Sequence, residues 1–319
     1  VTGFLLLSLP VVAIIALGWV AVWLGWVAPE AGQALGAFSF RFALPALVLR
    51  LVASQPLAVS FDPSFFIGYL ASGGLVFALV FTVSSQAEQP SAAAAARATT
   101  ATVSNLGFLG TPVLLAAVGP RGIGPLAMAM VCEVMILFSL GALVMAGGGT
   151  SSTRAKAILR GVGGNPVIGA IAAGTVLAAS GIRLPAPLEG TLGFLGAAAA
   201  PTALFAIGTS LRPRGSGRPF DRGAALVAAV KLVAYPFVAW GVLEGVLRLD
   251  PFWVRSGVLL AALPSASSNF ALAQQHGADA DCVSAAIAFS TVASLATVPW
   301  FGWLLSAGGR MLDAAIPAS

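Results

Sequence analysis

Charge is what this sequence has least of. Asp, Glu, Lys and Arg make up 8% of 319 residues, where a soluble domain carries about 25%. That is too little to solvate the surface of a water-soluble fold. Histidine occurs once and cysteine twice. One His with Cys132 and Cys282 cannot close a four-ligand zinc site, so no metal is expected. Both cysteines fall within or at the start of apolar runs, where they read as small buried apolar residues. The zinc-protease helix motif, the phosphate-binding loop and the nucleophile elbow are absent. An intramembrane enzyme is therefore a weak alternative, and no cofactor is expected. Long hydrophilic stretches are missing as well, which leaves no room for a separate soluble domain.

What is present is apolar sequence from end to end. Hydrophobic residues make up 58% of the chain and the mean hydropathy is +0.96. Runs of about 20 apolar residues recur, the length needed to cross a bilayer. Length and breaker residues give about ten spans: residues 4–26, 35–53, 64–86, 94–117, 123–146, 164–180, 190–211, 223–247, 253–275 and 281–306. The fold class is thus an all-α membrane protein in contact with membrane lipid. The first span lacks a basic n-region, so it reads as a retained helix and not a signal peptide. The seven Trp fall largely toward span ends, as in interfacial belts.

The first fifty residues recur near the middle. Pro10, Gly18, Gly25, Pro29 and Pro45 map onto Pro166, Gly174, Gly181, Pro185 and Pro201 at one offset of 156 residues. With 20 prolines in 319 residues, a Pro meets a Pro by chance at roughly one position in sixteen. Ten spans then divide into two five-helix units, residues 1–147 and 158–308. An odd number of spans per unit makes the second copy enter from the opposite side, so the repeats are expected to be inverted, as in many transporters. Arg154, Lys156 and Arg160 lie between spans five and six, and Arg212, Arg214, Arg218 and Arg222 between spans seven and eight. Both loops fall on one side, assigned to the cytoplasm, with both termini outside. The opposite loops hold Arg121, Arg183, Arg248 and Arg255, so the bias is modest. The net charge of +5 is explained by these loops as a topology signal, and no nucleic-acid partner is expected.

Two spans are unlike the rest. Span four runs from Thr102 through Ser104, Asn105, Gly107, Gly110 and Thr111 to Pro112; span nine reads Leu263, Pro264, Ser265, Ala266, Ser267, Ser268, Asn269, Phe270. Each is the fourth span of its repeat. Proline removes a donor and disrupts the preceding turn, freeing backbone groups that lipid cannot satisfy. Such breaks are tolerated where they face protein or a wet cavity. The pair should cross near the bilayer centre and present half-helix ends and Asn side chains to a solute. A pair of packed proline kinks is the bland alternative.

Four stretches carry a resemblance: Asn105 to Pro112, Gly164 to Gly169, Ala200 to Leu211, and Leu263 through Asn269 to Gln275. Together they resemble the auxin efflux carrier family, which holds plant PIN-type exporters and bacterial relatives, among them carriers of malonate or other dicarboxylates. The resemblance implies a sodium/proton-antiporter-like fold with elevator-type alternating access. A scaffold would come from spans 1, 2, 6 and 7, and a transport domain from spans 3–5 and 8–10. It also implies a homodimer through spans two and seven, in a bacterial inner membrane. PIN-type carriers have Pro where Asn269 stands, so their auxin site does not carry over. The long central loop of some plant members is absent.

Charges within spans are costly and therefore candidates for function. Glu133 in span five and Lys231 in span eight either pair structurally, or couple transport to an ion or proton, or face lipid. Arg41 and Arg50 lie nearer the ends of span two, where snorkelling is expected and anion contact is the lesser alternative. His276, beside Gly277, Asp279 and Asp281, reads as a solvated helix end. The expected function is transport of a small organic anion, auxin-like or a dicarboxylate such as malonate. Asn105 and Asn269, with Ser104, Thr111, Pro112, Pro264, Ser265, Ser267 and Ser268, would line the site, since an anion needs fixed donors. A sodium-coupled symporter using freed carbonyls, Gln274 and Asn269 is the first alternative. A ligand sensor without turnover is the second.

Overall fold

The computed structural model describes residues 2–28, 30–54, 61–86, 91–147, 166–182, 184–210 and 221–313. Most of these residues are helical, with no strand among them. Six helical stretches are long and apolar enough to cross a bilayer: Ala31–Ala53, Pro63–Gln86, Pro120–Met145, Ala186–Thr209, Arg222–Val246 and Ala280–Leu305. They stand at the second, third, fifth, seventh, eighth and tenth spans of the sequence. Shorter apolar helices, Ala13–Trp23, Leu106–Val118 and Pro166–Ser180, fall in the first, fourth and sixth.

In chain order the helices are α1 (Thr2–Trp23), α2 (Ala31–Phe38), α3 (Leu44–Ala53), α4 (Pro63–Gln86), α5 (Ser91–Thr102) and α6 (Thr111–Val118). There follow α7 (Ile123–Met130), α8 (Phe138–Met145), α9 (Pro166–Ser180), α10 (Ala186–Ala197) and α11 (Ala199–Ser210). The last are α12 (Arg222–Ala229), α13 (Tyr235–Trp240), α14 (Pro251–Ala261), α15 (Ser268–Gln275) and α16 (Ala280–Asp313). Several spans are interrupted by π turns at Ser39–Ala43, Leu106–Gly110 and Val230–Ala234. Each of these three ends two residues before a proline, Pro45, Pro112 and Pro236; two others, Val131–Leu137 and Gly241–Val246, do not. The proline ring lacks an N–H and crowds the carbonyl four residues back, so a widened turn relieves both faults.

Small residues set how closely the helices pack, as expected where lipid gives no hydrophobic drive between helices. A Cβ on Gly18 of α1 would collide with the Phe205 carbonyl oxygen of α11, and one on Gly208 with that of Ile15. Likewise, a Cβ on Gly174 of α9 would stand 2.9 Å from Val52 Cβ and 3.1 Å from the Leu49 oxygen of α3. Leu49 and Val52 precede Phe205 and Gly208 by 156 residues, the offset that also separates Gly18 from Gly174. The outer surface is apolar: Ile67, Leu75 and Leu79 of α4 are all exposed, as suits a lipid-facing helix.

One boundary moves. The second span begins at Ala31, not near residue 35. Ala31, Gly32 and Gln33 add little hydropathy, but they hold helical geometry. Arg41 consequently lies ten residues from Ala31 and twelve from Ala53 (41 − 31 and 53 − 41), at mid-span and not near an end. Arg50 does lie near the end, in an exposed ion pair with Glu189 at 3.7 Å. Pro29, Gly164, Asn165, Arg183, Leu211 and the loop cations Arg154, Lys156, Arg160, Arg212, Arg214 and Arg218 lie outside the described residues, as does the 158 boundary.

Candidate functional site at the crossing of two broken helices

Helix α5 stops at Thr102, and Val103, Ser104 and Asn105 are non-helical before the π turn that leads into α6. Helix α14 stops at Ala261, and α15 begins at Ser268. The two breaks lie against each other as an antiparallel bridge between Ser104 and Ser265. The Asn105 amide donates to the Pro264 carbonyl at 2.8 Å, and the Ala266 amide to the Val103 carbonyl at 3.0 Å. Backbone groups that proline and asparagine release from each helix are thus satisfied by the other break. Ser265 Oγ adds a bond to the Thr100 carbonyl at 2.7 Å. Asn269 Nδ2 reaches the Val103 carbonyl at 3.3 Å.

Each break is also held from behind by a neighbouring span. The Ser104 amide donates to Glu133 Oε2 at 2.6 Å and its hydroxyl to Glu133 Oε1 at 2.9 Å. The Ser265 amide donates to Ser290 Oγ of α16 at 3.2 Å. Glu133 gathers two further donors, Tyr69 Oη at 2.6 Å and Tyr235 Oη at 3.3 Å. Lys231 donates to the Ala261 carbonyl at 2.6 Å, at the end of α14, and its ammonium lies 4.7 Å from the centre of the Tyr235 ring. Glu133 and Lys231 are fully buried. Among the described residues they form no ion pair with each other; each braces one break, with Tyr235 between them.

Polar capacity remains at the crossing. Asn269 Oδ1 is buried there without a hydrogen-bond partner, as is Thr111 Oγ1 six residues beyond Asn105, at the start of α6. Asn105 is half-buried, and Ser267 and Ser268 are exposed although their neighbour Ala266 is buried. Pro112 is buried in the first turn of α6, and Pro264 contributes its carbonyl to the bridge. Gln274 lies about 9 Å along α15 from Ser268 and is exposed, away from the crossing. His276 ends α15, with Nδ1 3.0 Å from the Leu272 carbonyl oxygen. No three His, Cys, Asp or Glu side chains cluster among the described residues.

Sequence reasoning missed three features of this site. Tyr69 and Tyr235 are the two tyrosines of a chain with 19 phenylalanines, and both donate to Glu133. A hydroxyl kept where a plain ring would pack is the signal that could have found them. Arg97 of α5 donates twice to Asp279 Oδ2, at 2.9 and 2.6 Å, tying the start of broken span four to the turn after α15. Arg97 stands out as the one charge in the Ala- and Thr-rich run from Ser91 to Thr102.

Comparison with known proteins agrees with this architecture. The model of the family described as "Membrane transport protein" matches residues 5–160 and 154–302. The chain is 31% identical over 313 residues to a protein of Rhizobium meliloti (strain 1021) named "Putative malonate transporter", covering 96% of this chain and 97% of that one. It is 27% identical over 301 residues to an "Uncharacterized transporter" of Methanothermobacter thermautotrophicus, covering 93% and 97%. The all-helical fold, its membrane-length spans and these matches lead to one assignment: the chain belongs to the membrane transport protein family, the auxin efflux carrier-like group, as a multi-pass membrane transporter.

Proposed function

We propose that the protein carries a small organic anion, auxin-like or a dicarboxylate such as malonate, across a bacterial inner membrane by elevator-type alternating access. The observation that carries this reading is the crossing itself. Two breaks meet in apolar spans; the Asn269 Oδ1 acceptor and, at the start of α6, the Thr111 hydroxyl are left without protein partners, while Asn105 is half-buried and Ser267 and Ser268 are exposed. Half-helix ends, the Asn105 side-chain amide and the hydroxyls of Thr111, Ser267 and Ser268 can donate to an anionic group. The fold proposed is a ten-helix pair of inverted repeats, residues 1–147 and 158–308, with both termini outside. The equivalent contacts of Gly18 and Gly174 support it, as do the equivalent braces of Ser104 and Ser265. Spans 1, 2, 6 and 7 would form the scaffold, and spans 3–5 and 8–10 the moving body.

Uptake of labelled malonate and indole-acetate into proteoliposomes, with and without imposed proton and sodium gradients, tests the reading. Accumulation that needs no sodium is expected. Asn105→Ala and Asn269→Ala should each weaken binding by about 1–3 kcal/mol, the cost of losing a polar partner, with the protein still monodisperse. Unchanged binding in both variants would move the site elsewhere. The unpartnered Asn269 Oδ1 favours a second reading, a sodium-coupled symporter in which this oxygen and bridge carbonyls hold the cation; uptake strictly dependent on sodium would select it. Binding without uptake under any gradient would instead indicate a sensor.

A homodimer through spans two and seven completes the proposal, and Phe42 and Phe194 on those spans are exposed and available to the contact. A dimer is expected by light scattering in nanodiscs. A monomer both there and in mild detergent would count against it.

A further inference from the structure

The crossing offers an anion neutral donors, and the buried cation nearest it is already engaged. Lys231 is held by the Ala261 carbonyl and the Tyr235 ring. Arg97 is held by Asp279, and Arg50 by Glu189. Neutral donors can hold one carboxylate, but a second carboxylate brought out of water calls for a cation. Arg41 stands apart from these three; Arg255 also has a buried Nε without a partner, but it lies six residues, about 9 Å, before α14 stops at Ala261. Arg41 lies at the middle of the second span and is exposed, and no partner among the described residues touches it. Facing lipid there would cost about 3 kcal/mol or more, so such residues turn toward protein or a wet cavity.

Its neighbours place it beside the first break. The Phe40 ring stacks on Phe108, centroids 6.1 Å apart. A Cβ on Gly107 would lie 3.3 Å from the Phe40 ring and 3.7 Å from Leu44 Cδ2. A Cβ on Gly36 would lie 3.7 Å from the same Phe108 ring. The π turn at Ser39–Ala43 therefore packs directly on the segment that follows Asn105. Arg41 is adjacent to Phe40 and three residues before Leu44, and residues three apart on a helical surface are neighbours, about 5–6 Å between Cβ atoms. Its long side chain thus starts on the flank of the contact between the second span and the break.

We infer that Arg41 is the second span's cation for the bound anion and makes the site select a dianion, a dicarboxylate over a monocarboxylate. The inference rests on the carrier reading above and names its substrate class. One carboxylate is held at the crossing by Asn105, Thr111 and the half-helix ends, and the other is held by the Arg41 guanidinium, whose planar donors match a carboxylate.

The test is proteoliposome uptake of labelled malonate and of its monomethyl ester, which keeps one carboxylate and loses the charge of the other. Arg41→Gln should lower subsaturating malonate uptake by about tenfold or more and change uptake of the monoester by less than about twofold; Arg41→Lys should retain part of the malonate rate. Arg41→Cys should react with a cationic methanethiosulfonate reagent, which restores a positive charge there, and malonate uptake should recover; a neutral analogue should not restore it. Cys132 and Cys282 are buried and give little background. Equal losses for both probes in Arg41→Gln, no loss for either, or no reaction at Arg41→Cys would overturn the assignment while leaving the carrier reading standing. A parent protein that takes up neither probe would overturn this inference, and one that takes up no indole-acetate either would overturn the carrier reading as well.

Discussion

Replacing Glu133 by Ala is expected to cost about 3–5 kcal/mol of stability and to abolish transport, because it removes the acceptor of four buried donors and leaves Lys231 the uncompensated charge. The Ser104 amide is the most consequential of the four. It is a buried backbone group at a break, with no helical carbonyl to return to. Glu133→Gln is a milder change. The Gln oxygen can accept from the Ser104 amide while its NH2 group donates to the hydroxyls of Ser104 and Tyr69, which rotate to accept. The geometry survives and the charge does not. Thermal unfolding in detergent should show a large fall in midpoint for Glu133→Ala and an intermediate one for Glu133→Gln, which keeps the hydrogen bonds but still takes the counter-charge from Lys231. Similar midpoints for Ala and parent would mean that the brace does not hold the crossing.

The same pair of variants addresses coupling. Glu133 faces Tyr69, Tyr235 and the Ser104 hydroxyl, with Lys231 on the far side of Tyr235. If a proton gradient drives uptake through Glu133, the pH dependence of uptake must change in Glu133→Gln. A dependence that persists unchanged excludes it as the coupling group. A flat profile in both proteins would indicate uniport.

Much of the crossing was legible in the chain itself. Proline, glycine and asparagine at mid-span are local signals, because each alters the backbone at its own position whatever surrounds it. Asn105 and Pro264 could therefore be placed in opposed breaks before any contact was known. Contacts between distant residues left no such mark. Tyr69, Glu133 and Tyr235 are separated by 64 and 102 residues, and nothing local in a span reports which neighbour its polar group will meet. The choice between a Glu133–Lys231 pair and separate roles turned on this. Either outcome fits two buried opposite charges, and the carbonyl released at Ala261 decided it for Lys231. Arg41 was misplaced for a different reason. The low hydropathy of Gly32 and Gln33 hid the first turns of a span-length helix that begins at Ala31.

Lys231→Met should be nearly as damaging as Glu133→Ala, and combining it with Glu133→Gln should repair part of the loss. Methionine matches the stem of lysine in length and fills the same apolar path, so packing changes little. What is lost is the bond to the Ala261 carbonyl, which caps α14 at its break, and the cation above the Tyr235 ring. Glu133 is then the buried charge without a counterpart, and breaking a buried charge arrangement from one side costs about 3–5 kcal/mol. Neutralising Glu133 as well removes that penalty and leaves only the missing cap, about 1–3 kcal/mol. The double variant should accordingly melt above Lys231→Met alone, and a double-mutant cycle should return a coupling energy of about 0.5–3 kcal/mol, as for residues sharing one network. Strictly additive losses would mean that Glu133 and Lys231 act on their two breaks independently, with Tyr235 carrying nothing between them.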